Sequence, residues 1–289
     1  MSLLFDIENL RCSYDHPYHE GQSRVALEIR SLKIYRGQRV FIVGESGIGK
    51  STILETLGMM NNTIVPDSTT RFTFHEAEGK ETDLCQLWYG GDENLSRFRL
   101  FNYSFIFQST NLMRNFTAYE NVAYTRMLQG YSQQECFKKA KQVLADLGLE
   151  HVDELRMTQE LSGGQQQRLA FARAVLPDYV VLFGDEPTGN LDSENAMRVM
   201  QILNKRSEER RDTTAIIVSH DMHLATTFAD VIVKIQKKVK PRQTSEEEEI
   251  TYGYIDENCI FRPNAERHLW EGANISMDTQ SFETFLRKK

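Results

Sequence analysis

Leu161-Ser162-Gly163-Gly164-Gln165 decides the reading of this chain, because Gly44-Glu45-Ser46-Gly47-Ile48-Gly49-Lys50-Ser51 stands more than a hundred residues upstream of it. The upstream stretch fits the phosphate-loop pattern G-x-x-x-x-G-K-[ST]. Its glycines allow close approach, and successive backbone N–H groups cup phosphate oxygens. In the later stretch a Ser hydroxyl, two permissive glycines and the start of a helix-like run make a second anion site. A nucleoside triphosphate needs only one such cradle. Two on one chain are explained if the second closes over a nucleotide held by a partner chain.

The context supports the first motif. Arg39-Val40-Phe41-Ile42-Val43 is an apolar, β-branched run that stops at Gly44, and Thr52 to Leu57 is helix-compatible. Strand, glycine loop and helix are the setting of a working Walker A site. Lys50 is expected to reach the β- and γ-phosphates, Ser51 to ligate Mg²⁺ and Thr52 to add a phosphate contact. Val180-Val181-Leu182-Phe183-Gly184-Asp185 reads as Walker B, an apolar strand ending in an acid. Asp185 is the expected Mg²⁺ holder opposite Ser51, and Glu186 the candidate general base that polarises the attacking water.

The 289 residues, 40% hydrophobic and 26% charged, suffice for a sizeable core. A net charge of −7 argues against non-specific nucleic-acid binding. The apolar runs are strand-sized and well short of the roughly 20 residues that span a bilayer. No secretory leader is visible at the N-terminus. Cys12, Cys85, Cys136 and Cys259 have no metal-ligand spacing and read as free thiols in a reducing cytoplasm. Arg71 to His75 and Phe105-Ile106-Phe107 are expected to join the N-terminal strands in a small antiparallel sheet. From Thr117 to Leu147 a stripe of Val122, Met127, Leu128, Phe137, Val143, Leu144 and Leu147 has helical spacing. Val180 to Phe183 and Ala215 to Val218 have the continuous apolar character of parallel strands covered on both faces. After Ile235 the basic run Lys237 to Arg242 and the acidic run Ser245 to Glu249 read as a solvated linker, with a partner contact as the alternative. Ile250 to Ile255 and Cys259-Ile260-Phe261 are expected to pair as a hairpin around Asp256-Glu257-Asn258.

Together, these motifs resemble the ATPase subunits of ABC systems over roughly residues 3 to 235. The resemblance implies an α/β fold: a P-loop NTPase (RecA-like) core with a small antiparallel β subdomain and an inserted α-helical subdomain. The ATPase domain would be residues 1–235, with the helical insertion at about 109–163 and a C-terminal extension at 236–289. It also implies residue roles. Ser162, Gly163, Gly164 and Gln165 would meet the γ-phosphate held by the other protomer. His220 resembles the switch histidine, which contacts that phosphate and helps position the water. Gln108 resembles the Q-loop glutamine, a contact to Mg²⁺ or water and a hinge to the helical subdomain. Asn190-Leu191-Asp192 would cross the dimer interface. Tyr14 is a candidate to stack on adenine, with Tyr18 as a competitor and ordinary packing as the alternative.

Asp185-Glu186-Pro187-Thr188-Gly189-Asn190-Leu191-Asp192 and Phe116-Thr117-Ala118-Tyr119-Glu120-Asn121-Val122 resemble the bacterial lipoprotein-releasing and macrolide-exporting ATPases. That subgroup implies an ATP-sandwich homodimer. It would work on the inner face of the cell membrane through separate integral-membrane permease subunits. The alternative is a soluble ABC ATPase acting in assembly or scaffolding. The region from Glu76 to Arg99 and the segment beyond Ile235 depart from the family pattern, which leaves permease and substrate open.

Overall fold

The computed structural model describes residues 2–15, 23–189, 193–209, 212–240, 250–272 and 274–288. The chain begins with strands β1 (Leu3–Asp15), β2 (Ser23–Tyr35) and β3 (Arg39–Val43), then helix α1 (Lys50–Leu57). Strands β4 (Arg71–His75) and β5 (Glu81–Asp83), helices α2 (Leu84–Tyr89) and α3 (Asp92–Asn102) and strand β6 (Tyr103–Ile106) follow. Next come α4 (Ala118–Leu128), α5 (Gln133–Asp146), α6 (Gly163–Val175), β7 (Val181–Asp185), α7 (Ser193–Glu209) and β8 (Thr214–Val218). The last elements are α8 (Met222–Phe228), β9 (Val231–Lys234), β10 (Gln236–Lys240), β11 (Ile250–Ile255), β12 (Ile260–Pro263), β13 (Leu269–Gly272), β14 (Ile275–Asp278) and α9 (Thr279–Arg287). They divide into two units, residues 1–95 with 218–289, and residues 96–217.

The first unit holds a six-stranded sheet in the order β10-β11-β2-β1-β4-β5, antiparallel except where β11 runs parallel to β2. Phe5 and Ile7 of β1 face Phe74 and Phe72 of β4, and the Phe5 and Phe74 rings meet edge-on at 5.3 Å. Buried cross-strand pairs of this kind fix register, because a one-residue slip would turn every side chain to the wrong face. The same unit pairs β3 with β9 in parallel, and β12, β13 and β14 extend antiparallel from β9. Val40, Phe41, Ile42 and Val43 are all buried, as a strand covered on both faces requires.

Helix α9 closes this unit through aromatic packing. Phe282 stacks on Trp270 at 4.9 Å and lies 5.2 Å from Phe261, all three being fully buried. Thr226 donates to the Glu283 carboxylate at 2.8 Å, tying α8 to α9. The Lys234 ammonium donates to the Phe285 and Lys288 carbonyls at 2.9 and 3.0 Å, satisfying the C-terminal end of α9.

In the second unit β6 and β7 run parallel, with β8 beside β7. Thr117 and Glu120 form a reciprocal capping box that starts α4, and Ser132 caps α5. Val122, Val143, Leu144 and Leu147 are buried as their spacing predicts. Of the rest of the stripe, Met127 and Phe137 are half-buried, and Leu128, the last residue of α4, is 54% exposed. The Arg126 guanidinium is buried against Asp178 at 3.0 Å and Glu135 at 3.5 Å, and lies 3.6 Å over the Tyr131 ring.

Three expectations from sequence are corrected. Phe105 and Ile106 belong not to the antiparallel sheet but to β6, where Phe105 stacks on Phe183 of β7 at 5.2 Å. The departing region, Glu76 to Arg99, is largely helical, because α2 (Leu84–Tyr89) lies in it and α3 (Asp92–Asn102) begins in it. Lys237 to Lys240 is not linker but part of β10, an edge strand where exposed lysines are the usual residues; residues 241–249 lie outside the described residues. Finally, β11 and β12 do not pair with each other. The short 3₁₀ turn at Glu257–Cys259, capped by Asp256, passes the chain from one sheet to the other. The four cysteines are unpaired, and no helix among the described residues is long and apolar enough to cross a membrane.

Because Phe282 fills the joint between α9, β12 and β13, Phe282→Ala is expected to cost about 3 kcal/mol of unfolding free energy, read by urea titration.

Candidate functional site

In the first unit β3 delivers the chain to Gly44, and the loop 44–49 turns it into α1. Gly49 is the N-cap at φ 104°, a left-handed conformation, and a Cβ there would press to 3.3 Å from the Ala26 carbonyl oxygen. Glycine is therefore required by both backbone shape and space. Ile48 is buried, whereas Ser46 and Ser51 are exposed at the mouth of the loop. Lys50 folds back over the loop, its Nζ donating to the carbonyls of Gly44 at 3.0 Å and Glu45 at 2.7 Å. This places one full positive charge among amides that already carry partial positive charge at a helix N-terminus.

Two further residues predicted from sequence lie in the same unit as this loop. The Tyr14 hydroxyl and the Thr52 hydroxyl share a hydrogen bond of 3.2 Å, while the Tyr14 residue remains 43% exposed. The ring is thus tethered beside α1 with a face open. His220 is exposed and follows Ser219, whose N–H donates to the Ile42 carbonyl at 3.3 Å. Ser219 Oγ in turn accepts from the Asp221 N–H at 3.0 Å, and Asp221 caps α8. The imidazole therefore leaves a braced turn beside the end of β3. Tyr18 and Asp192 lie outside the described residues.

In the second unit Ile106 of β6 stands opposite Gly184 of β7. Parallel pairing makes Gln108 and Asp185 leave from the same strand ends, and Gln108 is exposed there. Glu186 follows at φ +49°, an uncommon backbone conformation for a side chain of its size. Its carbonyl accepts from the Gly189 N–H at 3.0 Å, closing a turn that holds the conformation. Such outliers persist where surrounding structure enforces them, and they concentrate at functional sites.

Ser162 and Gln165 form a capping box at the start of α6. Ser162 Oγ accepts from the Gln165 N–H at 3.4 Å, and Gln165 Oε1 accepts from the Ser162 N–H at 2.8 Å. A Cβ added at Gly163 or Gly164 would meet nothing within 4 Å. Glycine costs about 1 kcal/mol relative to alanine within a helix, so packing inside this chain gives no reason for either. Eleven residues further along α6, Arg173 donates to the carbonyls of Thr110 and Asn111 at 2.8 and 2.6 Å. That bond ties the segment after Gln108 to α6, about 16 Å of helix away from Ser162.

The sequence model of the ABC transporter family matches residues 27–189. This chain belongs to that family. It is similar to the macrolide export ATP-binding/permease protein MacB of Aggregatibacter actinomycetemcomitans, with 39% identity over 76% of this chain and 32% of that protein. The ABC chain thus spans about a third of the MacB relative's length. It is 40% identical to the lipoprotein-releasing system ATP-binding protein LolD of Aquifex aeolicus, over 68% of this chain and 80% of that protein. Among solved structures it resembles MJ0796, a bacterial ABC transporter cassette solved as a dimer, with a TM-score of 0.66 and 31% identity. That match covers 80% of this chain and 94% of the cassette. A post-hydrolysis state of MJ0796 bound to ADP and Pi matches to the same extent. The chain is an ABC ATPase with the mixed α/β cassette fold, and its family membership carries ATP binding.

Two residues that shape these sites were assigned no role from sequence. Asn121 is fully buried and bonds the Met113 N–H and the carbonyls of Met113, Phe116 and Thr117, fixing the loop into α4. Arg173 reaches carbonyls more than sixty residues away. The geometry at Tyr14 separates its two possible roles. Tyr14→Phe loses the bond to Thr52 and keeps the ring, whereas Tyr14→Ala loses both. If the ring stacks on a base, ATP affinity measured by fluorescence titration falls about tenfold in Tyr14→Ala and stays within a few-fold in Tyr14→Phe.

Proposed function

We propose that two copies of this chain bind two ATP molecules head to tail and that hydrolysis drives membrane subunits carried on separate chains. Each nucleotide lies between Gly44 to Thr52 of one copy and Ser162 to Gln165 of the other. The observation that supports this reading is the open space around Gly163 and Gly164. Two glycines that nothing within the chain requires, at a helix start with unpaired N–H groups, suit an anion brought from outside. The dimeric cassette MJ0796 adds weight to the same arrangement.

Within each site Lys50 and the loop amides hold the β- and γ-phosphates, and Tyr14 takes the adenine. Ser51, Asp185 and Gln108 offer hydroxyl, carboxylate and amide oxygens, a hard donor set that suits Mg²⁺. Bound there, the ion would neutralise charge on the phosphate oxygens. Glu186 orients and deprotonates water, His220 contacts the γ-phosphate, and Asp192 lies at the interface between copies. ATP favours closure because its γ-phosphate gains contacts from the second copy that the open state lacks. Residues 1–235 form the ATPase domain, with the helical subdomain at about 109–163 passing closure to the permease through Gln108. Residues 236–289 are an extension.

The relatives' names point to the work done. One is a macrolide exporter and one belongs to a lipoprotein-releasing system. By analogy this chain serves efflux, lipid or lipoprotein extraction, or transmembrane signalling, from the inner face of the cell membrane through its permease.

Glu186→Gln is expected to keep ATP binding, lower hydrolysis by about 10²- to 10⁴-fold and accumulate an ATP-bound dimer in light scattering. A variant that remains monomeric with ATP·Mg²⁺ overturns the sandwich. Lys50→Ala is expected to weaken ATP binding itself, and unchanged affinity removes Lys50 from the cradle. Tagged Glu186→Gln, drawn with ATP·Mg²⁺ from detergent-solubilised native membranes, should carry a multi-span membrane protein. Recovery of soluble partners alone would favour the assembly role.

A further inference from the structure

We infer that strand β11 is a working wall of the nucleotide loop and that Gly253 is the positioning residue through which it acts. This rests on the reading that residues 44–52 hold the nucleotide. Strand β11 lies on the far side of the charged segment from β9, and it inserts beside β2 in the parallel direction, with Gly253 opposite Leu27. Leu27 and Ala26 are the residues against which Gly49 is packed. On the neighbouring strand, a Cβ at Gly253 would fall inside contact distance of the Ile48 carbonyl oxygen. The same Cβ would stand 3.0 Å from both Ile235 Cγ2 and Leu27 Cδ1. Gly253 is buried and absent from the residues with positive φ, so no unusual backbone conformation requires glycine there. The requirement is the closeness of the phosphate loop.

The obstruction is backbone, and that gives the contact its consequence. A flexible side-chain tip could rotate away from an added methyl group. The Ile48 carbonyl cannot move without moving the peptide between Ile48 and Gly49, whose N–H belongs to the phosphate cradle. Ile48 is itself locked, because it is buried and its Cγ2 would lie 3.0 Å from a Cβ at Gly44. Displacement at Gly253 therefore passes into the loop. A binding constellation tolerates only about half an ångström of error before affinity suffers. The opposite face of β11 has a different duty: Tyr254 receives the Lys238 ammonium 3.1 Å from its ring centre, which holds β10 to β11.

The two faces make the test. In Gly253→Ala, the ATP KM and the dissociation constant of a fluorescent ATP analogue should rise about tenfold. The midpoint of thermal unfolding without nucleotide should shift no more than in Lys238→Ala, which weakens the same hairpin from its other face and should leave nucleotide affinity unchanged. Unaltered affinity in Gly253→Ala, or equal losses of affinity in both variants, overturns the inference. Amide hydrogen exchange on the unmodified full chain provides the second measurement and needs no substitution to fold. ATP·Mg²⁺ should slow exchange in residues 44–52 and 250–255 together. Protection of 44–52 without 250–255 overturns the role of β11 while leaving the nucleotide site intact. No protection at 44–52 removes the nucleotide from this loop, and the inference with it.

Discussion

A triphosphate gathers several negative charges within a few ångströms, and in the proposed site they would meet chiefly backbone amides. Amides have no rotamers with which to adjust, so the cradle can be no more accurate than the packing behind it. That constraint orders the first unit. Gly49 leans on Ala26 and Leu27, a side chain at Gly44 would collide with Ile48, and β3 is buried along its length. Lys50 and Thr52 are buried in the first turn of α1, so the residues proposed to lie nearest the phosphates are also among the least free to move.

The second unit applies the same economy to side chains. Parallel pairing of β6 and β7 brings Gln108 and Asp185 off neighbouring strand ends. Glu186 then stands in a left-handed conformation that costs about 1–2 kcal/mol and is held by the Gly189 turn. At the start of α6, Ser162 and Gln165 satisfy one another. Their reciprocal bonds make the turn rigid before anything binds, and the open glycine backbone faces outward. A short motif thus caps a helix and leaves open the turn proposed to take an anion.

What the sequence revealed follows from which forces were local. The buried strands β3, β7 and β8 were visible as unbroken apolar runs, and the phosphate loop, Ser162 and Glu186 were visible as fixed spacings. From sequence alone Phe105 and Ile106 fall to the small antiparallel sheet, and only their pairing with Phe183 and Gly184 places them in the other. Strand β10 was hidden because its lysines meet the needs of an exposed edge rather than those of a core. The helices α2 and α3 went unread, and α3 has few buried residues to give a periodic signal. Gly253 looked like an ordinary glycine between two tyrosines. Its meaning lies in one carbonyl two hundred residues away, a distance over which no pattern in a single sequence carries information.

That separation bears on how the chain is made. Strand β2 is synthesised early, and the strand that completes its outer side arrives more than two hundred residues later. Contacts this distant in sequence close slowly, because the intervening chain must first be ordered. While the ribosome is still at work, the phosphate loop exists without one of its walls. Until β11 is made, the loop at residues 44–49 therefore lacks the support that Gly253 gives it, and its final shape depends on a segment synthesised about two hundred residues after it.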